Sequence, residues 1–176
     1  MGDVGLIEEI DYRVSEANRF QRLIWIVSSS RPGAWVFAKT LHHIDRFVLW
    51  LSRGRVTVPG VLAGLPVITL ATIGARTGRR REVPLVGVPA GDQIAVIGTR
   101  FGQPRTPAWY FNLRAEPRAE VGYRGRTVPV VAREVEGDER EAVWTRGCDL
   151  YAGYQAYARR IDHRQIHVML LEASEP

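Results

Sequence analysis

The stretch PVITLATIGARTGRRREVPLVGV, residues 66–88, decides the fold that we predict for this chain. Its first part, 67–73, is β-branched and too short for a stable helix, and Gly74 ends it, which predicts a buried strand. A second apolar run, 85–88, follows Pro84 and predicts the partner strand. The stretch therefore predicts a β-hairpin with an arginine-rich connection.

This connection has the composition of an anion-binding loop. Gly74 and Gly78 permit turns that other residues resist, and such turns can aim successive backbone N–H groups at one anion. Guanidinium groups bind phosphate or carboxylate bidentately. We therefore expect an anion to be held here, surrounded by Arg76, Thr77, Arg79 and Arg81. Composition alone leaves a solvated arginine surface as the alternative.

The rest of the C-terminal part predicts further short antiparallel strands. A tight turn at 90–92 precedes an apolar or alternating run at 93–99, which predicts a strand. The run 121–135 turns at 124–125 and predicts a hairpin, and the segment 165–171 predicts the last strand. Short helices are predicted from Pro107 and from Gly137. Strands of this number and length indicate a small barrel, because closure removes exposed edges. The predicted class is α+β, mainly β, with N-terminal and peripheral helices.

The N-terminal part, 1–64, reads as helical and precedes a barrel core at 65–176 within a single domain. Apolar spacing predicts one helix over 6–27 and a second over 30–52. The second carries an aromatic stripe between Trp35 and Trp50. We expect the stripe to pack on the core, and a membrane surface or a greasy substrate entrance is the alternative.

The amino-acid composition indicates an anionic binding partner but does not identify its kind. The net charge is +5 and Lys39 is the only lysine among 24 basic residues, which favours anionic partners of any kind. A nucleic-acid barrel is disfavoured because the arginines are scattered and no recognised motif is present. The lone Cys148 and the acidic N-terminus predict a cytoplasmic protein, and we assign no metal site.

Three tyrosines are candidate catalytic groups. They fall three residues apart, which on a helical turn places three phenols along one side. Phenols donate hydrogen bonds to a reducible oxygen while their rings enclose a planar substrate. The alternative is a ridge that packs on the barrel. The three are Tyr151, Tyr154 and Tyr157.

Three elements together resemble the deazaflavin-dependent nitroreductase and quinone reductase family of actinobacteria. They are IGARTG at 73–78 with Arg81, Pro84 and Leu85, then PAWYFNL at 107–113, then the spaced tyrosines. The resemblance implies a split β-barrel related to pyridoxamine-phosphate oxidases. It also implies a reductase that passes a hydride from reduced coenzyme F-420 to a quinone or a similar conjugated or nitro acceptor. A non-catalytic barrel that binds FMN or haem is the alternative.

The resemblance also implies roles for individual residues. The phosphate and oligoglutamate tail would be held by Arg76, Thr77, Gly78 and Arg81. The ring would contact Pro84, Leu85, Val86, Thr99, Arg100, Ala108, Trp109 and Asn112. The acceptor would face the three tyrosines, with Tyr154 and Tyr157 the main candidates for orienting it or delivering a proton, and Thr99 is a further catalytic candidate.

The chain departs from the family pattern at three positions. Ala75 stands where a basic residue is common, Val86 where an aromatic occurs, and Ala108 where a bulkier methionine occurs. These changes bear on tail affinity and acceptor range. The sequence leaves open whether the protein is a monomer or a homodimer and whether it associates with a membrane.

Overall fold

Seven antiparallel strands form one sheet in the described part of the chain. The structure is a computed structural model that describes residues 5–14, 65–161 and 163–174. The strands are β1 (Val67–Ile73), β2 (Arg80–Val86), β3 (Val88–Ala90), β4 (Gln93–Ile97), β5 (Arg118–Tyr123), β6 (Arg126–Glu134) and β7 (Val168–Ala173). Their order across the sheet is β2-β1-β5-β6-β7-β4-β3. The mainly β antiparallel class predicted from the sequence is therefore confirmed.

The sheet curls into a barrel that is closed through Gly87. The two outermost strands in the sheet order, β2 and β3, are consecutive in the chain and are separated by this one residue. The hydroxyl of Tyr12 donates a hydrogen bond to the Gly87 carbonyl at 2.6 Å and lies 3.1 Å from the Pro66 carbonyl. A Cβ atom at position 87 would lie 2.6 Å from the Tyr12 hydroxyl, so only glycine fits there.

Two short helices cover the two ends of the barrel. Helix α1 (Leu6–Glu9) lies at the end that contains the β3–β4 turn, where the Ile7 amide donates to the Asp92 carbonyl at 3.1 Å. Helix α2 (Ala108–Ala115) lies at the opposite end, beside the end of β1. The arginine-rich loop 74–79 follows β1 and therefore shares the α2 end.

Two hydrophobic clusters lie on the two sides of the sheet. The interior cluster joins the inward side chains of the strands to α1 and α2, and Ile68, Leu70 and Leu171 are fully buried in it. The outer cluster lies between the other face of β3, β4 and β7 and the helices α3 (Gly137–Leu150) and α4 (Gly153–Ala158). Because side chains alternate along a strand, neighbouring residues of one strand contribute to different clusters.

Some predicted boundaries were wrong. The helix predicted from residue 6 ends at Glu9, because the chain turns at Asp11, whose φ is 51°, and buries Tyr12 in the barrel. The last strand begins at Val168 rather than at residue 165, and β2 begins at Arg80, so two loop arginines belong to a strand. The predicted helices over 15–27 and 30–52, with the aromatic stripe, lie outside the described residues.

The Tyr12 hydroxyl is expected to stabilise the barrel closure. Tyr12→Phe keeps the ring but leaves the buried Gly87 carbonyl without its donor, which should lower the free energy of unfolding by about 1–3 kcal/mol. Tyr123→Phe is the matched control, because the Tyr123 ring packs against Tyr12 while its hydroxyl donates to the less buried Arg13 carbonyl. Urea denaturation would measure both. Equal losses would contradict a special role for the Gly87 hydrogen bond.

Candidate active site

In the loop between β1 and β2, the backbone amides of residues 74, 75, 77 and 78 are bonded within the protein. The Thr77 and Gly78 amides both donate to the Gly74 carbonyl, at 3.0 and 2.8 Å, and the Gly74 amide donates to the Arg79 carbonyl at 2.9 Å. The Ala75 amide donates to the Asn112 side chain at 3.0 Å. The expectation that successive amides point at a bound anion was therefore wrong for these four positions, because three amides point into the tight turn and the Ala75 amide points to α2.

The arginine side chains in and beside this loop are the groups available to bind an anion. Arg76, Arg79 and Arg81 are exposed and form no ion pair with any described residue. Arg80 differs, because it pairs with Glu82 at 3.0 Å and with Glu120 at 2.6 Å. Three of the four neighbouring arginines thus present an uncompensated positive charge at the α2 end of the barrel.

Asn112 connects this loop to helix α2. Its amide nitrogen donates to the Thr72 hydroxyl at 3.0 Å, and its carbonyl oxygen accepts from the Ala75 amide. Asn112 and Thr72 are both buried. Arg81 is the cross-strand partner of Thr72 and therefore lies on the same face of the sheet. A buried amide thus fixes the distance between the arginine loop and the helix.

A second loop, 98–103, lies at the same end and has an unusual backbone. Arg100, Phe101 and Gly102 have φ values of 46°, 55° and 76°, so three consecutive residues are left-handed. The Thr99 side chain is buried, and its hydroxyl makes no hydrogen bond to a described residue. A buried hydroxyl without a partner is costly unless a ligand satisfies it. Arg100 is exposed beside it.

The predicted ring contacts divide between the two faces of the sheet. Val86 packs against the outer cluster, and alternation places Pro84 on the same face. Leu85 packs against the interior cluster, and the Trp109 side chain is buried in that cluster. Ala108 is exposed at the start of α2. The side chains of Leu85 and Trp109 therefore support the site from inside the barrel instead of sharing one surface with Pro84 and Val86.

The tyrosines do not form a single helical row. Tyr151 follows the last residue of α3, and only Tyr154 and Tyr157 lie in α4. All three are buried in the outer cluster, where the hydroxyls of Tyr151 and Tyr157 are 2.9 Å apart. The Tyr154 hydroxyl has no hydrogen-bond partner among the described residues. The expected row along one side was wrong because the chain breaks helix at 151–152.

Burial keeps the phenols of Tyr154 and Tyr157 protonated. It is the largest cause that raises the pKa of Tyr154 and Tyr157 above the usual value, and the neighbouring Tyr151 raises both further. A protonated phenol donates a hydrogen bond but carries no charge. The Tyr157 ring also meets Phe101 edge-on, with ring centroids 5.9 Å apart. The tyrosine cluster and the left-handed loop are therefore in direct contact.

A polar network that sequence reasoning missed anchors α2 on the opposite side. Glu134 accepts hydrogen bonds from Tyr110 at 3.0 Å and from Arg114 at 3.0 Å, and it lies 2.6 Å from Nδ1 of His167. The Tyr110 ring stacks on the imidazole with centroids 3.9 Å apart. Burial alone would raise the pKa of Glu134, but the hydrogen bonds from His167 and Tyr110 outweigh it and lower that pKa.

Glu134 should make stability depend on pH. Because its pKa is lower in the folded protein, the carboxylate stabilises the fold above its ordinary pKa near 4.5, and this contribution is lost as the pH falls through the lowered value. Glu134→Gln should lower the free energy of unfolding at neutral pH by about 1–3 kcal/mol and weaken this acid dependence. Glu139→Gln, which breaks an exposed pair with Arg133, is the control. Unfolding curves at several pH values would test this, and identical pH profiles for Glu134→Gln and wild type would contradict it.

No helix among the described residues is long and apolar enough to cross a membrane. Within 5–14, 65–161 and 163–174 there is also no group of three His, Cys, Asp or Glu side chains arranged to hold a metal ion.

Comparison with known proteins identifies the kind of protein that this fold and site define. The F420H(2)-dependent quinone reductase family model matches residues 45–173. An F420H(2)-dependent quinone reductase of Mycobacterium tuberculosis is 29% identical over 117 residues, which cover 62% of this chain and 76% of the relative. A second, putative enzyme of that name from the same organism is 27% identical over 92 residues, 52% of this chain and 77% of the relative.

Solved structures agree with this match. The structure of an F420-H2 dependent reductase is 36% identical, with a TM-score of 0.56, over 61% of this chain and 94% of the other. A chain solved as a domain-swapped dimer is 31% identical, with a TM-score of 0.58, over 80% of this chain and 99% of the other.

The class is therefore that of split-barrel oxidoreductases. Within it, the chain belongs to the F420H(2)-dependent quinone reductase family. The predicted coenzyme, F-420, and the predicted enzyme type are confirmed, and nothing in these matches favours a non-catalytic FMN or haem protein. The roles of individual residues stay predictions.

Proposed function

We propose that the α2 end of the barrel is the site at which this chain binds coenzyme F-420 and reduces a quinone. The observation that carries the proposal is the contrast among the loop arginines. Arg76, Arg79 and Arg81 have no carboxylate partner in the described part of the chain, whereas Arg80 is neutralised by two glutamates. Uncompensated charge at one place on the surface favours an anionic ligand.

The arginine side chains fit the acidic tail of the coenzyme. Carboxylates and phosphates accept paired hydrogen bonds from a guanidinium group. Because the amides of Gly74, Ala75, Thr77 and Gly78 are already bonded, the side chains of Arg76 and Arg81 bind the tail, and Thr77 and Gly78 shape the turn that presents them. Gly78 has a φ of 62°, a conformation that other residues adopt at a cost.

In this proposal, the planar ring of the coenzyme binds beside the second loop, 98–103. The Thr99 hydroxyl, which has no hydrogen-bond partner within the described ranges, offers it a hydrogen bond, and Pro84, Val86 and Ala108 offer apolar contact. When bound, the reduced coenzyme supplies the hydride. Arg100, exposed and without a carboxylate partner among the described residues, places a positive charge beside the same ring.

Tyr154 is the strongest candidate for the acceptor. Its phenol is protonated and its hydroxyl has no partner in the described part of the chain, so it is free to donate to a quinone oxygen. Tyr151 and Tyr157 bond to each other and hold the neighbouring wall. Asn112, Leu85 and Trp109 act as positioning residues, because their side chains bond or pack within the protein.

Loss of a loop arginine should weaken coenzyme binding. Arg76→Ala and Arg81→Ala should each raise the Kd for oxidised F-420 by about tenfold at low salt, since a charge-assisted hydrogen bond of this kind is lost. The effect should shrink as salt screens the exposed charges. Arg80→Ala is the control and should change Kd less than about twofold, because Arg80 is engaged by glutamates. A fluorescence titration measures all three.

Equal Kd values for Arg76→Ala, Arg80→Ala and Arg81→Ala would remove the loop from the coenzyme site. Wild-type protein that failed to bind F-420 at all would refute the proposed site as a whole.

Tyr154 should affect turnover and not coenzyme affinity. Tyr154→Phe removes one hydroxyl that has no structural partner in the described residues, and we expect kcat with menadione to fall about tenfold or more while the Kd for F-420 stays constant. Tyr123→Phe, at the α1 end, should leave both unchanged. Steady-state kinetics with reduced coenzyme would decide. An unchanged kcat in Tyr154→Phe would exclude this phenol from the reaction.

The assembly is also part of the proposal. A chain of this fold at 31% identity was solved as a domain-swapped dimer, which supports a homodimer here. Helix α1 packs on the barrel, which supports a single domain from residue 1 to 176. For residues 30–52, packing on the core stays a prediction and contact with a membrane stays its untested alternative, and a cytoplasmic location also stays a prediction. Light scattering with and without vesicles would test dimer and membrane contact separately.

A further inference from the structure

Arg164 binds backbone oxygen atoms instead of a carboxylate. Its Nη1 donates to the Gly98 and Gln165 carbonyls at 3.1 Å each, and its Nη2 donates to the Thr99 and Gln103 carbonyls at 3.1 and 3.2 Å. Its Nε lies 3.4 Å from the Gln103 carbonyl. All three nitrogens of the guanidinium group are therefore used, and three of the four carbonyls belong to the loop 98–103.

This loop needs such support because its backbone is strained. Non-glycine residues with left-handed φ are uncommon, and they persist where the surrounding structure imposes that conformation. Arg100 and Phe101 are two such residues in succession, followed by left-handed Gly102. The internal bonds are few, namely the Gly102 amide to the Thr99 carbonyl and the Gln103 amide to the Arg100 carbonyl, each at 3.0 Å.

The other side of the loop is packed against α4. Phe101 meets Tyr157, and a Cβ atom at Gly102 would lie 3.1 Å from the side chain of Arg160 and 3.5 Å from Cα of Tyr157. The loop is thus held between a guanidinium group and an aromatic wall. Its two ends, Gly98 and Gln103, are bound to the same arginine, which fixes the width of the loop.

We propose that Arg164 is a positioning residue for the coenzyme, because it holds the left-handed loop that presents the Thr99 hydroxyl and the Arg100 guanidinium. The proposal rests on the proposed function of that loop as the ring-binding wall. Arg164 itself does not touch the coenzyme, since its donors are occupied by carbonyls.

The electrostatics agree with this arrangement. Burial, followed by the nearby charge of Arg100, lowers the pKa of Arg164 from its usual value. Carbonyl dipoles that point at the guanidinium compensate for part of the burial. The two neighbouring cations repel each other, and an anionic or electron-rich group bound at Arg100 relieves this repulsion. Coenzyme binding and the shape of the loop are therefore coupled.

The geometry explains why an arginine is required. A guanidinium group is planar and has five N–H donors, so it can reach four carbonyls at once. A lysine ammonium group is a single point with three donors. Arg164→Lys therefore keeps the charge but cannot hold both Gly98 and Gln103, whereas a purely electrostatic role would survive the change.

The test compares Arg164→Lys with Arg140→Lys. Arg140 is the control, because its Nε and Nη2 donate to the Ile166 carbonyl, at 3.3 and 3.2 Å, while its Nη1 pairs with Glu141, and none of these bonds involves the loop 98–103. We expect the Kd for oxidised F-420 to rise about tenfold in Arg164→Lys and to stay within about twofold of wild type in Arg140→Lys. The KM for menadione should be unchanged in both.

A structural readout separates positioning from general loss of stability. Hydrogen exchange of the Gly102 and Gln103 amides in coenzyme-free protein should accelerate in Arg164→Lys, while the amides of β5 and β6 should keep their wild-type rates. In Arg164→Ala, millimolar guanidinium should restore part of the coenzyme affinity, because the ion can occupy the vacated carbonyl cage.

The Kd and the hydrogen-exchange rates of Arg164→Lys together decide whether Arg164 positions the loop for the coenzyme. Wild-type Kd and wild-type exchange at 102–103 in Arg164→Lys would overturn the inference. Faster exchange with an unchanged Kd would also overturn it, since the loop would then be irrelevant to binding. If wild-type protein does not bind F-420, the proposed function fails, while the exchange experiment still reports on the loop.

Discussion

One close contact, between Gly87 and Tyr12, allows the sheet to become a barrel. The strands β2 and β3 pair with different neighbours, β1 and β4, although only Gly87 separates them in the chain. The backbone must therefore bend there, and the missing Cβ leaves room for a phenol hydroxyl that bonds to the carbonyl at the bend. The strand ends that carry the site are fixed in space because the barrel closes.

Helix α2 covers the end of the barrel at which we propose the site. It lies across one end and is attached by polar groups on both sides, Asn112 toward the arginine loop and Tyr110 toward Glu134. These groups are buried or half-buried, so their hydrogen bonds are worth more, and cost more when broken, than exposed ones. The arginine loop is thereby held at the α2 end of the barrel, whereas the left-handed loop is held by Arg164 and α4. Catalysis by positioning requires this kind of rigidity.

The sequence predicted much of the fold because strong local signals coincide with the structure. The β-branched run ending at Gly74, the turn at 124–125 and the proline before α2 each mark an element that the structure contains. It could not predict the short α1, because the apolar period continues beyond Glu9 while a tertiary contact of Tyr12 bends the chain. Tertiary contacts routinely override local propensity in this way.

The site was less predictable than the fold for the same reason. Arg76 and Arg81 could be proposed from the sequence because glycine and arginine occur together there. Glu134, His167 and Arg164 were missed, because each acts through partners far away in the chain and no local pattern marks them. The internal bonding of the loop amides was also hidden, since a glycine-rich loop that cradles an anion and one that bonds to itself have the same composition.

The bonded amides of residues 74, 75, 77 and 78 in the arginine loop have a consequence for the forms of coenzyme that the loop can accept. A concave site made of backbone N–H groups has a fixed shape and therefore selects anions by size. Long arginine side chains are flexible, so their guanidinium groups can reach carboxylates at different positions. On the proposed assignment, oligoglutamate tails of different length bind with similar affinity, because the arginines contact only the carboxylates nearest to them. Tail heterogeneity is then tolerated without any change in the backbone, and discrimination is left to the ring.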